Sequence, residues 1–335
     1  MQSKPRVSVI SAFYNRGFLV RESVESLLAQ TLQDIEIIIV NDGSTDDTAA
    51  RLDEIDDPRV RVIHQENAGF TAAIRHAAAE CKGEYIALHG AGDISLPRRL
   101  EMQAAYLDAN EEVGLVGCRY TNNGVLMNPQ RTELQRGPLL ETFIKGSRVT
   151  HGEVMFRKSI YDRVGGYRLA FTYAQDKDLW LRMGQYCEYA ILPEILYHRK
   201  RLRDGVFETP ERFYMQRKLS KFAVECAAQR RAGGLDMLDR FGPGAFYLSK
   251  PSDRLSVVFR QRALRFFWEG RYDDGAFLAR MSWRERRNFR SLAALLLAWL
   301  AESQKHRHLL RTILRLRGLP DKRNRGAKTD RRRLR

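Results

Sequence analysis

Gly83-Glu84-Tyr85-Ile86-Ala87-Leu88-His89-Gly90-Ala91-Gly92-Asp93-Ile94-Ser95-Leu96-Pro97 is the stretch on which the reading of this chain turns. The short apolar run Tyr85 to Leu88 predicts a buried strand. Two glycines and one carboxylate follow. Pro97 then suits the first turn of a helix, expected to run from Arg98 to Asn110. Open α/β sheets hold ligands in such turns, at the carboxyl end of a strand and ahead of a helix. A second reading needs no ligand: the glycines supply the backbone angles of a tight turn.

The segments before this stretch repeat its pattern. Val7 to Ala12 reads as a strand, and Phe18 to Gln30 as a helix with Leu19, Val20, Val24, Leu27 and Leu28 on its apolar side. Ile35 to Val40 is apolar almost throughout, as strands covered on both faces are. A polar turn, Asn41 to Thr48, leads to a helix ending near Glu54. Val60 to His64 is a third strand, and Thr71 to Cys81 the helix after it. Strands and helices alternating at this pace predict an α/β fold with a mainly parallel sheet and helices on both faces. Beyond it come a strand at Val113–Cys118, a polar loop with an edge hairpin over Tyr120–Pro138, and a strand at Glu153–Phe156. Helices are expected at Ser159–Val164 and Gln175–Gln185, and short strands within Tyr189–Tyr197. From Pro210 the pattern is helical only: Pro210–Arg231, Arg254–Gly270, Tyr272–Met281, Arg284–Ala301 and Gln304–Leu316. The expected domains are 1–205, 206–317 and a basic, disordered tail at 318–335.

The 335 residues suffice for such an arrangement, and 44% apolar with 29% charged residues is a globular composition. The net charge of +16 favours anionic partners: nucleotide diphosphates, nucleic acid or acidic lipid. Much of it sits in the last thirty or so residues, and no nucleic-acid motif accompanies it, so nucleic acid is not an expected partner. Cys81, Cys118, Cys187 and Cys226 lie apart, with no metal-finger spacing, which suits free buried thiols in a reducing cytosol. No signal peptide is expected ahead of the first strand. The most apolar window, Leu292 to Ala301, falls short of the roughly twenty residues that cross a bilayer.

Two side chains stand where a ligand would meet the strand ends. Asp42, followed by Gly43 and Ser44, can face such a ligand; the same turn can equally cap the next helix. Arg75, on the helix after Asn67-Ala68-Gly69-Phe70, suits a diphosphate, or is a surface arginine.

The ordered set Val7–Asn15, Val40–Thr48, Asn67-Ala68-Gly69 and Gly83–Ala87, with Val164-Gly165-Gly166-Tyr167-Arg168 and Ala174–Arg182 downstream, closely resembles the signatures of family 2 glycosyltransferases over roughly residues 5–200. The resemblance implies a GT-A fold and inverting transfer of a sugar from a nucleotide-diphosphate sugar to a sugar, lipid-linked or protein acceptor, in surface polysaccharide or glycan synthesis in the cytoplasm. It implies that Ala12 and Tyr14 line the nucleoside pocket, Asp42 binds the base, Arg75 lies by the donor and Asp176 is the catalytic base. An inverting displacement needs one base for the acceptor proton and positive charge for the leaving diphosphate. The family's Glu-Asp pair is here Gln175-Asp176.

The opening stretch departs from that family. Its Asp-x-Asp-Asp run, which holds Mg²⁺ or Mn²⁺, falls on Gly90, Gly92 and Asp93, so only Asp93 survives as a metal ligand. One carboxylate can serve Mg²⁺ with phosphates and water. His89 and His198 are possible helpers, better matched to Zn²⁺ or Mn²⁺. A metal-free site, with Arg75 and other basic groups offsetting the diphosphate, is the rival, and a non-catalytic nucleotide-sugar-binding or regulatory protein is the alternative. His151-Gly152-Glu153 is placed on the acceptor side, and Arg199 and Lys200 beside phosphate or on a solvated edge. Trp180 reads as core. Arg284, Arg286, Arg287 and Arg290 beside the apolar helix with Trp299 suit either packing against neighbouring helices or peripheral contact with an anionic membrane.

Overall fold

A computed structural model of the protein describes residues 4–200, 209–302 and 306–316. The tail expected at 318–335 lies outside them. The described residues divide into two compact units, one within 1–202 together with 219–246, the other within 203–218 together with 247–335.

The first unit begins with β1 (Val7–Phe13), α1 (Gly17–Leu28), β2 (Ile35–Asp42), α2 (Thr48–Asp53), β3 (Val60–Gln65), α3 (Phe70–Ala79), β4 (Tyr85–Leu88), β5 (Ile94–Ser95) and α4 (Arg99–Asp108). It continues with β6 (Val113–Asn122), β7 (Val125–Leu126), β8 (Gln135–Pro138), α5 (Leu139–Lys145), β9 (Met155–Arg157), α6 (Lys158–Arg163), α7 (Gln175–Met183) and β10 (Glu188–Arg199). One sheet runs in the order β3-β2-β1-β4-β9-β6-β10-β5. β1 pairs in parallel with β2 and β4, and β2 with β3, so the turns at the carboxyl ends of these four strands lie side by side. β1 and β4 are buried along their whole length, as the apolar runs require.

Past β4 the sheet turns mixed. β9 inserts antiparallel between β4 and β6, and β10 lies parallel to β6. The short strands expected within Tyr189–Tyr197 are one strand, because register shifts beside Leu192 and Ile195 absorb Pro193 without ending the pairing. The loop expected over Tyr120–Pro138 holds more structure than its polarity implies. Asn123 (φ 47°) and Gly124 (φ 79°) form the hairpin turn between β6 and β7, and β8 pairs with β10. The expected helices within 1–200 are all present. The helix α5 was not read from the sequence.

A buried ionic cluster ties the end of this unit together. The Asp178 carboxylate, fully buried on α7, accepts from Arg168 Nε (3.1 Å) and Arg182 Nε (3.0 Å). Arg182 also donates to the carbonyls of Val164 and Gly166, both at 2.6 Å, which fixes the glycine turn ahead of α7. Arg168 reaches on to Asp236 at 2.8 Å. Asp236 caps α9 (Met237–Phe241), after α8 (Pro210–Arg231). This cluster is a physical reason that residues 219–246 group with the first unit, although their sequence reads as part of the helical region.

The second unit contains the start of α8 with α10 (Asp253–Trp268), α11 (Tyr272–Glu285), α12 (Phe289–Glu302) and α13 (Arg307–Leu316). Its core gathers Phe213, Phe259, Phe266, Phe267 and Leu297, and Lys218 pairs with Glu285 at 2.8 Å. Among the described residues no helix is long and apolar enough to cross a membrane.

Removing one member of a buried ion cluster strands the others. Asp178→Ala is expected to cost about 3–5 kcal/mol, read as a lower midpoint in urea unfolding.

Candidate active site

The carboxyl ends of β1 and β2 are laced together. Asn15, left-handed at φ 52°, receives at its side-chain oxygen the amide of Thr45 (2.7 Å) and donates its own amide to Ser44 Oγ (3.0 Å). Arg16 N donates to Thr48 Oγ1 at 2.8 Å. A Cβ on Gly17 would stand 1.8 Å from Asp47 Oδ1 and 3.0 Å from Thr48 N, so the Asp47 side chain would have to move aside. Ala12, the last residue but one of β1, is buried, whereas Tyr14 stands half-exposed on the rim.

Asp42 lies at the end of β2, 3% exposed. Its Oδ1 accepts from Gln65 Nε2 (2.8 Å) and Ala68 N (2.9 Å), and its Oδ2 from Gly69 N (2.9 Å). The carboxylate therefore shapes the turn that starts α3. Arg75 is exposed on that helix.

The turn after β4 is held from inside. His89 is buried, its Nε2 2.9 Å from Ser23 Oγ and its Nδ1 3.1 Å from Ser95 Oγ. Burial, with the nearby Arg99 guanidinium, pushes its pKa down to about 3. Ser23 Oγ donates to the Asp93 carbonyl and accepts from Gly92 N, each at 3.1 Å, so a neutral ring protonated at Nε2 completes the set. The helper role weighed for His89 gives way to this structural one. His198 is likewise engaged, its Nδ1 2.8 Å from Thr121 Oγ1.

Asp93 points inward. Tyr197, fully buried on β10, donates its hydroxyl to Asp93 Oδ2 at 2.7 Å, and Lys200 N donates to Oδ1 at 2.8 Å. Two glycines make room for this pair. A Cβ on Gly90 would lie 2.4 Å from Asp93 Oδ2, and one on Gly152 2.5 Å from the Tyr197 oxygen. Burial raises the Asp93 pKa, against the lowering effect of the Tyr197 hydrogen bond. Asp93, expected as a metal ligand, has each of its oxygens hydrogen-bonded to the protein, and Gly90 and Gly92 offer no side-chain ligand beside it. Among the described residues no group of three or more His, Cys, Asp or Glu could hold a metal ion. The residues present do not fit the divalent cation of an Asp-x-Asp-Asp site.

Asp176 sits on the first turn of α7, half-buried, with Oδ1 accepting from Lys177 N at 2.8 Å. Beside it lies His151, whose Nε2 is 2.8 Å from the Tyr167 hydroxyl and whose ring packs edge-on against Phe70 at 5.5 Å. Burial pushes the His151 pKa down to about 4, overriding the opposing pull of the Asp176 charge. Phe70 opens α3 directly after Gly69, which Asp42 holds. The Asp42 turn, His151 and Asp176 therefore form a continuous wall. Trp180 is fully buried against Phe156, a core residue. Neither Phe70 nor Tyr197 was singled out from the sequence as a site residue; an aromatic straight after a glycine turn was the available signal for the first.

With this geometry in view, comparison with known proteins is decisive. The family described as Glycosyl transferase family 2 matches residues 8–169. EpsE of Bacillus subtilis (strain 168), a provisionally assigned glycosyltransferase, is 34% identical over 193 residues, which cover 54% of this chain and 68% of EpsE. The chain belongs to glycosyltransferase family 2. It aligns with 58 to 68% of the length of the first three relatives. S. aureus TarS 1–349, solved with UDP-GlcNAc, superposes with a TM-score of 0.57 at 14% identity, covering 93% of this chain and 92% of that one. A mannosyltransferase of Pyrobaculum calidifontis, solved with GDP-Man and Mn²⁺, gives 0.55 at 18% identity, covering 93% and 85%. At these identities the likeness establishes the GT-A fold.

Two measurements probe this wall. Both buried imidazoles are neutral in the fold, so their contribution to stability is fully present above pH 6.5 and is lost as pH falls toward about 4 for His151 and about 3 for His89. Buried Asp93 and Glu153, with raised pKa values, act in the opposite sense. The difference between the wild type and His151→Gln isolates one ring: thermal melts should show the variant losing less stability between pH 6.5 and about 4. Separately, Tyr197→Phe leaves an oxygen of buried Asp93 without its donor and is expected to cost about 1–3 kcal/mol in urea unfolding.

Proposed function

We propose that this chain moves a sugar, with inversion, from a nucleotide-diphosphate sugar to a hydroxyl acceptor in polysaccharide or glycan synthesis, working on the cytoplasmic side of a membrane and beside its anionic face. The observation that carries the reading is Asp176: a half-buried carboxylate at the start of α7, one oxygen steadied by Lys177 N, on a helix fixed by the buried Asp178–Arg182 pair. In the proposed step Asp176 takes the proton of the acceptor hydroxyl. The acceptor oxygen bonds to the anomeric carbon, and the bond to the diphosphate oxygen breaks with its electron pair leaving on the nucleotide.

Ala12, Tyr14 and the Asp42 turn are assigned to the nucleoside, and Arg75 to the donor. TarS and the mannosyltransferase, solved with UDP-GlcNAc and GDP-Man, support a nucleotide sugar as donor. Because Asp93 is committed to Tyr197 and Lys200, the diphosphate charge is assigned to arginines: Arg75, and Arg199 at the end of β10. The replacement of two expected acids by Gly90 and Gly92 also favours a second reading, a protein that binds a sugar nucleotide without turning it over.

The test is release of nucleotide diphosphate from UDP-, GDP- and dTDP-sugars, with and without EDTA. Turnover should persist in EDTA, and Asp176→Asn should lower it roughly a hundred- to ten-thousand-fold. Donor-dependent thermal stabilisation without turnover, unchanged by Asp176→Asn, would establish the binding-only reading instead.

A further inference from the structure

The helix α12 carries no charge between Arg290 and Glu302. Its inner side, Ser291, Ala294, Leu297, Ala298 and Ala301, is buried in the core of the helical unit. The opposite side is where a surface helix places its polar residues. Here it presents Phe289 (82% exposed), Leu292 (42%), Leu296 (57%) and Trp299 (61%). Steps of three, four and three residues set these on one stripe, so the exposure is a continuous face. Trp299 is held at its end by stacking on His306, ring centroids 5.7 Å apart.

The rim of this face is basic. Arg284, Arg287 and Arg290 are exposed at the amino-terminal end and make no hydrogen bond or ion pair among the described residues. The nearby acids are already engaged: Asp253 pairs with Arg286, Glu285 with Lys218, and Glu302 with Arg280 at 2.9 Å. An apolar stripe edged by unpaired guanidinium groups matches one partner chemistry, acyl chains beneath a layer of phosphate.

We propose that this face of α12 lies in the headgroup region of an anionic phospholipid membrane, apolar stripe inward and Arg284, Arg287 and Arg290 on the phosphates. With 14 residues the helix is too short to cross, and it rests in the plane of the interface. Trp299 and Phe289 occupy the depth that aromatic side chains favour at a membrane boundary. The proposal stands on the helical unit alone and does not depend on the transfer reaction.

Flotation of the full chain tests it, with vesicles of phosphatidylcholine alone and of phosphatidylcholine with phosphatidylglycerol. The wild type should float with the anionic vesicles and much less with the neutral ones. Leu296→Gln/Trp299→Gln and Arg284→Gln/Arg287→Gln/Arg290→Gln change exposed side chains, and each should lower partition by about tenfold or more at an unchanged melting temperature. In the wild type, a brominated phosphatidylcholine mixed into the anionic vesicles should quench tryptophan emission, and Trp299→Phe should remove that quenching. No flotation of the wild type, or flotation undiminished in both multiple variants, overturns the proposal. So does a dimer in light scattering that Leu296→Gln/Trp299→Gln abolishes without any vesicle binding. Nucleotide release by the variants in lipid-free buffer should match the wild type, which separates failure here from failure of the transferase reading.

Discussion

The hydrogen bond from the Tyr197 hydroxyl to buried Asp93 joins chain segments about a hundred residues apart, and much of the site takes its form from it. A carboxylate removed from water needs donors, and here it has a phenol and the Lys200 amide. Because β5 pairs with the end of β10, the same contact closes the turn after β4 against the far edge of the sheet. The space the pair occupies is bounded by Gly90 and Gly152. At position 90 an expected metal-binding acid has given way to a residue whose lack of a side chain is itself structural.

A second consequence concerns the opposite wall. Asp42 spends its carboxylate on the turn that begins α3, and that turn delivers Phe70 to the ring of His151. His151 and Gly152 are consecutive. One side of this dipeptide faces Asp176, while the other covers the Asp93–Tyr197 pair. A disturbance at either wall therefore passes through two adjacent residues.

The strands β1, β2 and β4 were legible because they are buried on both faces and so are written as largely apolar runs, such as Ile37 to Val40. The positions of Asp42, Arg75 and Asp176 relative to strand ends and helix starts followed from the same pattern. Their contacts did not. Whether Asp42 faces a ligand or the amides of Ala68 and Gly69 depends on a turn geometry that no spacing encodes. Asp93 is the sharper case: its partner Tyr197 lies in an apolar strand, where a tyrosine reads as packing alone. The place of β9 was hidden for a related reason, since Met155–Arg157 is too short to announce that it sits at the centre of the sheet. The helix α5 escaped notice because it begins right behind Pro138 at the end of a strand.

That central placement of β9 has a bearing on how the chain is made. β4 pairs with β1 on one side and β9 on the other, so its second edge stays open until residue 157 has left the ribosome. An open edge of four buried-type residues is a template for pairing with another chain. The sheet is then completed only when β10, residues 188–199, lies against β6. Before β9 is in place, the edge of β4 that faces it has no partner, and pairings between segments so distant in sequence are slow to close. For this chain, the edge of β4 is the place where pairing with a second chain competes with folding until β9 arrives.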